Sequence, residues 1–247
     1  RATTHDASNA LLRDRRFGRE PISDPQIPDH LSDWAANESH SMLELEPPRH
    51  TRLRRLVLRA FTSRAIAALE DDIVELSHKL IDAMPDGPFD LLDAFAKPLP
   101  VIVIARLLGV PAARADDFLR WSNAMGGMYQ AGRSRADEEA ANTATIEFKT
   151  YLEEIIEDRR AAPGDDLLSA LIAAEDAGDT LSRDELISTV ILLLNAGHEA
   201  TVHTLGNAVR AMLQSGGLSA PTEDTLEEIL RFDPPLHMFT RWAYEEV

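Results

Sequence analysis

The stretch LLLNAGHEATVHTLGN, from Leu192 to Asn207, carries the strongest signal in this sequence. It lies in a long, mostly apolar helical pattern that begins at a capping box formed by Ser182 and Glu185. A glycine inside a helix costs about 1 kcal/mol relative to alanine, and a carboxylate in a buried helix needs a partner. Gly197 and Glu199 break both rules within three positions, and such local conflicts are typical of ligand or reaction sites. We therefore expect the functional site on this helix.

Composition limits the class of protein. The chain has 247 residues, of which 44% are apolar, and no linker rich in Pro, Gly or Ser divides it, so we treat residues 1–247 as a single domain. It contains no cysteine, which excludes disulfides, thiolate metal ligands and cysteine nucleophiles among these residues. Residues 1–9 are polar, and no window is apolar enough to span a bilayer. We expect a cytoplasmic protein with no membrane partner.

The charge distribution argues against nucleic acid as a partner. The formal net charge is −17 at pH 7, and an acidic chain repels the phosphate backbone. A helical regulator that binds DNA through its arginines is therefore only a third alternative. One short stretch is nevertheless rich in arginine, and its charge alone favours a solvated helix face over a docking surface for an anionic partner. Its members are Arg49, Arg52, Arg54, Arg55, Arg59 and Arg64.

Apolar spacing predicts a mainly α fold with minor β structure. Pro47-Pro48 opens a helix that should run to about Ala60, and the helix that begins after Ser182 should run to about Gln214. Gly126-Gly127 and Gly132 are typical of a flexible connection, and Leu236 to Ala243 has strand character.

Two pairs of charged residues have helical spacing. His50 and Arg54 lie four residues apart, so their side chains point within about 40° of each other on one helix face. Two such donors suit a carboxylate or phosphate ligand. Glu228 and Arg231 are spaced i, i+3, which gives either a surface ion pair or a buried pair that organises a neighbouring loop. Their apolar neighbours in the sequence favour the buried pair.

The motif His198-Glu199 does not predict a zinc protease. That class needs two histidines four residues apart, and His203 lies five residues after His198. The second ring is therefore rotated by about 140° around the helix. Glu199 alone could carry protons, or it could simply face a polar crevice.

Five segments together resemble the bacterial cytochrome P450 haem-thiolate monooxygenases. In chain order they resemble that family's B helix, C helix, I helix with its oxygen-binding kink, K helix with its Glu-x-x-Arg motif, and the strand after it. The segments are HDASNALLRDRRFG (His5–Gly18), EPPRHTRLRRLVLRAF (Glu46–Phe61), LLLNAGHEAT (Leu192–Thr201), LEEILRFDPP (Leu226–Pro235) and PLHMFTRWAYEEV (Pro235–Val247). The resemblance covers nearly the whole chain and implies a P450-like helical fold.

The resemblance also implies a haem b cofactor and residues for it. His50, Arg54 and Arg241 would bind the haem propionates. Ala196 and Gly197 would form the groove in which oxygen sits, and the missing side chain at Gly197 would account for the glycine. No residue of this chain would bind the iron, because the family uses a cysteine thiolate and the chain has none.

Further roles follow from the same resemblance. Glu199 would be the acid of the family's acid–alcohol pair, and Glu228 with Arg231 would be the structural pair of the K helix. The family usually has threonine directly after the acid, but here Ala200 stands there and Thr201 follows. Thr201 is rotated by about 100° from that position, so proton delivery would need water or an altered route.

The implied function is oxidation of a small apolar molecule with O₂ and electrons from a redox partner. An acidic ferredoxin or flavodoxin would dock on the arginine-rich proximal face. The chain looks like the central part of the fold, from the B to the K helix, and we expect it to be incomplete at both ends. The alternative is a non-catalytic all-α binding or interaction protein on a truncated P450 scaffold.

Overall fold

The computed structural model describes residues 1–246, except 62–65, 68, 131, 177–179 and 217–219, and only the backbone of 175 and 176. Its described part is mainly helical with one small sheet, which confirms the predicted fold class. The α-helices are α1 (His5–Arg13), α2 (Ser32–Glu38), α3 (Arg49–Ala60), α4 (Leu69–Asp82), α5 (Pro98–Leu108), α6 (Ala115–Gly126), α7 (Arg135–Ala161), α8 (Leu167–Asp176), α9 (Arg183–Gln214) and α10 (Glu223–Phe232).

Short elements join these helices. Single 3₁₀ turns cover Asp29–Leu31, Ala112–Arg114 and Gly127–Tyr129, and a π-helical turn covers Leu92–Ala96. Two strands, β1 (Phe17–Gly18) and β2 (Trp242–Ala243), pair antiparallel, with Phe17 opposite Ala243.

The long helix α9 is the centre of the fold. It begins at Ser182 with the predicted capping box, in which Ser182 and Glu185 exchange side-chain and backbone hydrogen bonds. Its first half is buried, and it packs most extensively against α5. The buried apolar side chains of that half are Leu186, Ile187, Val190, Ile191 and Leu194. Burial of this half, at about 1.5–3 kcal/mol for each large apolar side chain, fixes the helix that carries the predicted site.

Gly197 has a packing role that the sequence did not reveal. A Cβ at this position would lie 2.9 Å from Cγ1 of Ile104 on α5, closer than such atoms normally approach. The glycine therefore lets the two helix backbones come close together. Farther along α9, a Cβ at Gly206 would lie 2.8 Å from Leu92 in the π-helical turn. Both glycines offset their conformational cost by close helix packing.

Two local predictions are corrected. Of the segment Leu236 to Ala243, only Trp242 and Ala243 pair as a strand, because β1 offers only two partner residues. Gly126-Gly127 does not lie in a loop: Gly126 ends α6 and Gly127 starts a 3₁₀ turn. This turn is fixed because Met128, which is buried, packs with Leu31 and Ala141.

The arginine-rich helix α3 is not simply a solvated face. Arg52 donates hydrogen bonds to the backbone oxygen of Thr180 (2.6 Å) and to Oε1 of Glu185 (2.5 Å). Arg49 donates to the backbone oxygen of Ser39 (3.0 Å). These two arginines therefore fasten α3 to its surroundings, and Arg52 reaches the start of α9.

The Arg52–Glu185 pair determines the charge state of a buried carboxylate. Burial raises the pKa of Glu185, but the hydrogen bond from Arg52 and that from the Ser182 N–H outweigh it, so the pKa lies below its ordinary value. The folded state thus binds fewer protons than the unfolded state. The stabilisation is present above the unfolded pKa and is lost as the pH falls through the folded pKa.

We predict that Arg52→Met lowers the free energy of unfolding by about 1–2 kcal/mol at pH 7, because it leaves the buried carboxylate of Glu185 short of a donor. Urea titrations at several pH values should show the loss at neutral pH and its decline below pH 4.5, the ordinary pKa of the carboxyl. Arg59→Met, at an exposed position on the same helix, is the control and should change little. A loss that persists undiminished in acid would contradict the role of Glu185.

Candidate functional site

Helix α9 opens to solvent at Ala196. Ala196, Glu199 and His203 are exposed and lie within about 60° of one another around the helix. The opposite side stays buried through Leu194, His198 and Val202. After its buried first half, the helix therefore exposes one strip of its surface, which starts at the predicted oxygen groove. We call its three residues, Ala196, Glu199 and His203, the open stripe.

Glu199 does not break the rule against buried carboxylates, because its side chain lies in the open stripe. No described residue donates a hydrogen bond to it. Its carboxylate instead lies against the end of α6, where a Cβ at Gly126 would be 3.3 Å from both oxygens. Gly126 is a residue that the sequence analysis missed as part of the site. The adjacent glycines were visible, but their contact with α9 was not.

The neighbouring polar residues of α9 have separate roles. His198 is buried, and its Nδ1 bonds to the backbone oxygen of Leu194 at 2.9 Å, as expected for a structural histidine. Asn195 accepts a hydrogen bond from Ser122 of α6 at 2.7 Å. Thr201 is exposed and Ala200 is half-buried. The two side chains point about 100° apart around the helix, so the hydroxyl of Thr201 does not lie in the direction of the Ala200 side chain.

His50 and Arg54 are available to a ligand. Both lie on α3, and about 200° separates Arg54 from Arg52 around the helix, so Arg54 points away from Glu185. Among the described residues, no carboxylate pairs with His50 or Arg54. Unpaired donors of this kind in a chain of net charge −17 are suited to an anionic ligand.

Arg19 links the third predicted donor, Arg241, to the same region. Arg19 donates to the backbone oxygen of Thr240 (3.2 Å) and, through its backbone N–H, to Oε1 of Glu46 (2.6 Å). The backbone oxygen of Glu46 in turn accepts from the N–H of His50 at 3.0 Å. Arg19 and Glu46 therefore link the backbone just before Arg241 to the start of α3, where His50 lies. No sequence pattern pointed to Arg19, since its partners lie far away along the chain.

Glu228 and Arg231 form the expected ion pair, at 2.6 and 2.7 Å. The hydrogen bond from Arg231 lowers the pKa of Glu228. The buried position is wrong, however: the side chains are 58% and 70% exposed. The reason is that α10 packs through Ile229, its buried residue, and the pair lies on the solvent side of the helix.

Exposed apolar side chains lie at the end of α10 and in the segment after it. Phe232, Leu236, Met238 and Phe239 are between 56% and 73% exposed, and apolar patches of this kind are typical of ligand or interaction surfaces. Within the described ranges, no three His, Cys, Asp or Glu residues come together as a metal site. None of the described helices combines the length and apolarity needed to cross a membrane.

Comparison with known proteins gives a consistent result. The family described as Cytochrome P450 matches residues 5–216. Cytochrome P450 107B1 of Saccharopolyspora erythraea is 42% identical over 245 residues, covering 94% of this chain and 59% of the relative. The polyketide biosynthesis cytochrome P450 PksS of Bacillus subtilis is 37% identical, covering 99% of this chain and 62% of the relative.

Solved structures agree with this match. P450BioI, solved with an acyl carrier protein ligated to hexadec-9Z-enoic acid, superposes with a TM-score of 0.87 at 30% identity, covering 98% of this chain and 64% of that one. The chain thus spans about three fifths of the length of the relatives that it matches. The matched family, the helical fold and the motifs on α3, α9 and α10 lead to one conclusion: this chain belongs to the cytochrome P450 family.

Proposed function

We propose that the protein containing this chain is a haem-dependent monooxygenase that oxidises a small apolar molecule. The observation that carries the proposal is the open stripe of α9, which places Ala196 and the carboxylate of Glu199 side by side on a helix whose first half is buried. Bound haem b supplies the redox chemistry with O₂.

The residues fit a haem in two respects. A haem is a flat apolar ring with two carboxylates, and His50 and Arg54 are donors that no described carboxylate engages. Ala196 offers an exposed apolar surface without a bulky side chain. Arg241, which follows the Thr240 contact of Arg19, would be the third propionate donor. The chain has no cysteine, so in this proposal the iron ligand is not one of these 247 residues.

Glu199 is the proposed proton carrier. Its exposed carboxylate can take a proton from water and pass it toward the face at Ala196. Thr201 is turned away from the Ala200 position, so water rather than the threonine hydroxyl would complete the path. Gly197 keeps α9 close to α5, which holds the open stripe in place. Glu228 and Arg231 have a structural role in this proposal.

The substrate and partner follow from relatives and from charge. The name of PksS refers to polyketide biosynthesis, and P450BioI was solved with an acyl chain on a carrier protein, so an apolar, acyl- or polyketide-derived substrate is favoured. An acidic ferredoxin or flavodoxin would dock on the outer face of α3, where Leu58 and Arg59 are exposed. We expect the reaction to take place in the cytoplasm.

A second candidate is a non-catalytic α-helical binding protein, in which the exposed side chains of Leu236, Met238 and Phe239 would form an interaction surface. The absorption spectrum of the reduced, CO-treated full-length protein separates the two. A haem monooxygenase of this family should bind haem and show the red-shifted Soret band of thiolate ligation. In the same measurement, Arg54→Met should weaken haem binding by about 10–10² fold, as the loss of a charge-assisted hydrogen bond implies.

Arg59→Met is the matched control, since it removes an exposed charge on the same helix and should retain haem. If the full-length protein binds no haem, the proposal that it is a haem monooxygenase is wrong. Haem binding that is equal in the Arg54 and Arg59 variants would refute the propionate assignment alone.

For the proton carrier, we predict that Glu199→Gln slows turnover by on the order of 10² fold, because the amide cannot exchange protons. More of the electrons consumed should appear as peroxide, at unchanged haem content. Product, electron donor consumption and peroxide are measured together. The control, Glu227→Gln, changes an exposed carboxylate on α10 and should behave as wild type, whereas wild-type coupling in Glu199→Gln would rule out the role of Glu199.

A further inference from the structure

Helices α6 and α9 touch at two matched positions. At the first, the hydroxyl of Ser122 donates to Oδ1 of Asn195 at 2.7 Å. Four residues later on both helices, Gly126 meets the carboxylate of Glu199. Four residues make slightly more than one helical turn, so the two contacts lie on the same face of each helix. The hydrogen bond and the glycine contact thus lie about one turn apart along the same pair of helices.

The carboxylate of Glu199 lies where a side chain at residue 126 would crowd it. A Cβ there would lie 3.3 Å from each oxygen of Glu199 and 3.6 Å from its Cδ. The two 3.3 Å distances are tighter than most Cβ contacts, whereas 3.6 Å is ordinary van der Waals contact, so the carboxylate oxygens would have to move by a few tenths of an ångström. Gly127, the next residue, has nothing within 4 Å of an added Cβ. The close contact of an added Cβ with Glu199 is thus specific to one of two adjacent glycines.

Neither backbone can yield easily. The turn after Gly126 is held by a hydrogen bond from Tyr129 to Oε2 of Glu38 at 2.7 Å and by the buried side chain of Met128. On the other side, Gly197 of α9 is packed against Ile104. Added bulk at position 126 would therefore displace the side chain of Glu199 rather than either helix.

We propose that Gly126 is a positioning residue for Glu199, and that it sets the orientation of the carboxylate at the open stripe. The functional consequence rests on the proposed function, in which Glu199 carries protons. A displacement of 1 Å at a reacting group can cost about 10² fold in rate, so a few tenths of an ångström should cost several-fold. The end of α6 would then control proton delivery through the position of one glycine.

The contact itself is tested by thermal unfolding of a double-mutant cycle. Gly126→Ala is made alone and together with Glu199→Ala, which removes the carboxylate. Alanine in place of glycine favours the helix in both cases, and the cycle cancels that gain. The change in melting temperature caused by Gly126→Ala is measured in the presence of Glu199 and again in the Glu199→Ala variant. We expect this change to be less favourable by about 2–4 °C when Glu199 is present.

Gly127→Ala, taken through the same cycle, is the control and should be additive. If Gly126→Ala is also additive with Glu199→Ala, the contact does not constrain the carboxylate and the inference is wrong. This measurement does not depend on haem or activity, so it stands whatever becomes of the proposed function.

The positioning role is tested by electron coupling in the haem-loaded, full-length protein. Gly126→Ala should raise the peroxide fraction several-fold, while Gly127→Ala should not. Glu199→Asp shortens the side chain by one methylene. Alone, Glu199→Asp should reduce coupling relative to the wild type. In combination with Gly126→Ala, it should improve coupling relative to Gly126→Ala alone. A loss of stability cannot produce this reversal.

The outcomes are distinguishable. If Glu199→Gln uncouples the enzyme but Gly126→Ala does not, the positioning inference fails and the proton carrier stands. If Glu199→Gln leaves coupling unchanged, the proposed role of Glu199 fails, and any change caused by Gly126→Ala has another origin. The absence of a reversal with Glu199→Asp would also contradict the inference.

Discussion

The close approach of α9 to α5 at Gly197 is the constraint on which the site depends. A side chain there would overlap Ile104, so the helices can pack in this way only with a glycine at that position. The side-chain directions of neighbouring residues differ by about 100° around a helix. Because Gly197 packs against α5, Ala196 therefore lies on the open side of α9. The same packing brings Glu199 to the end of α6. One contact thus determines both the apolar surface and the carboxylate beside it.

Charge is organised on α3 by the same geometrical rule. Arg52 reaches the start of α9 and stabilises the buried Glu185, whereas Arg54, about 200° away, has no carboxylate partner among the described residues. An acidic chain offers many carboxylates that could neutralise a spare arginine, so an unpaired one is informative. The helix therefore combines a structural side with a side that can receive an anionic group.

Local sequence rules predicted the elements well and the contacts poorly. The Ser182–Glu185 capping box, the helix to Ala60 and the Glu228–Arg231 pair all depend on residues within four positions of each other, and the structure contains each of them. The contacts of Arg52 with Glu185 and of Gly126 with Glu199 join distant parts of the chain, which periodicity cannot reveal. Burial of the Glu228 pair was wrongly predicted for the same reason, because it depends on which side of α10 packs.

The most direct test of this account is haem incorporation into Ala196→Phe, compared with Ala173→Phe on α8, which is also an exposed helical alanine. If the side of α9 at Ala196 is the cofactor face, a phenyl ring there should abolish or sharply reduce haem content at an unchanged level of folded protein. The substitution on α8 should leave haem content unchanged. Equal haem content in the two variants would contradict the central claim that the seating of Gly197 creates the cofactor face.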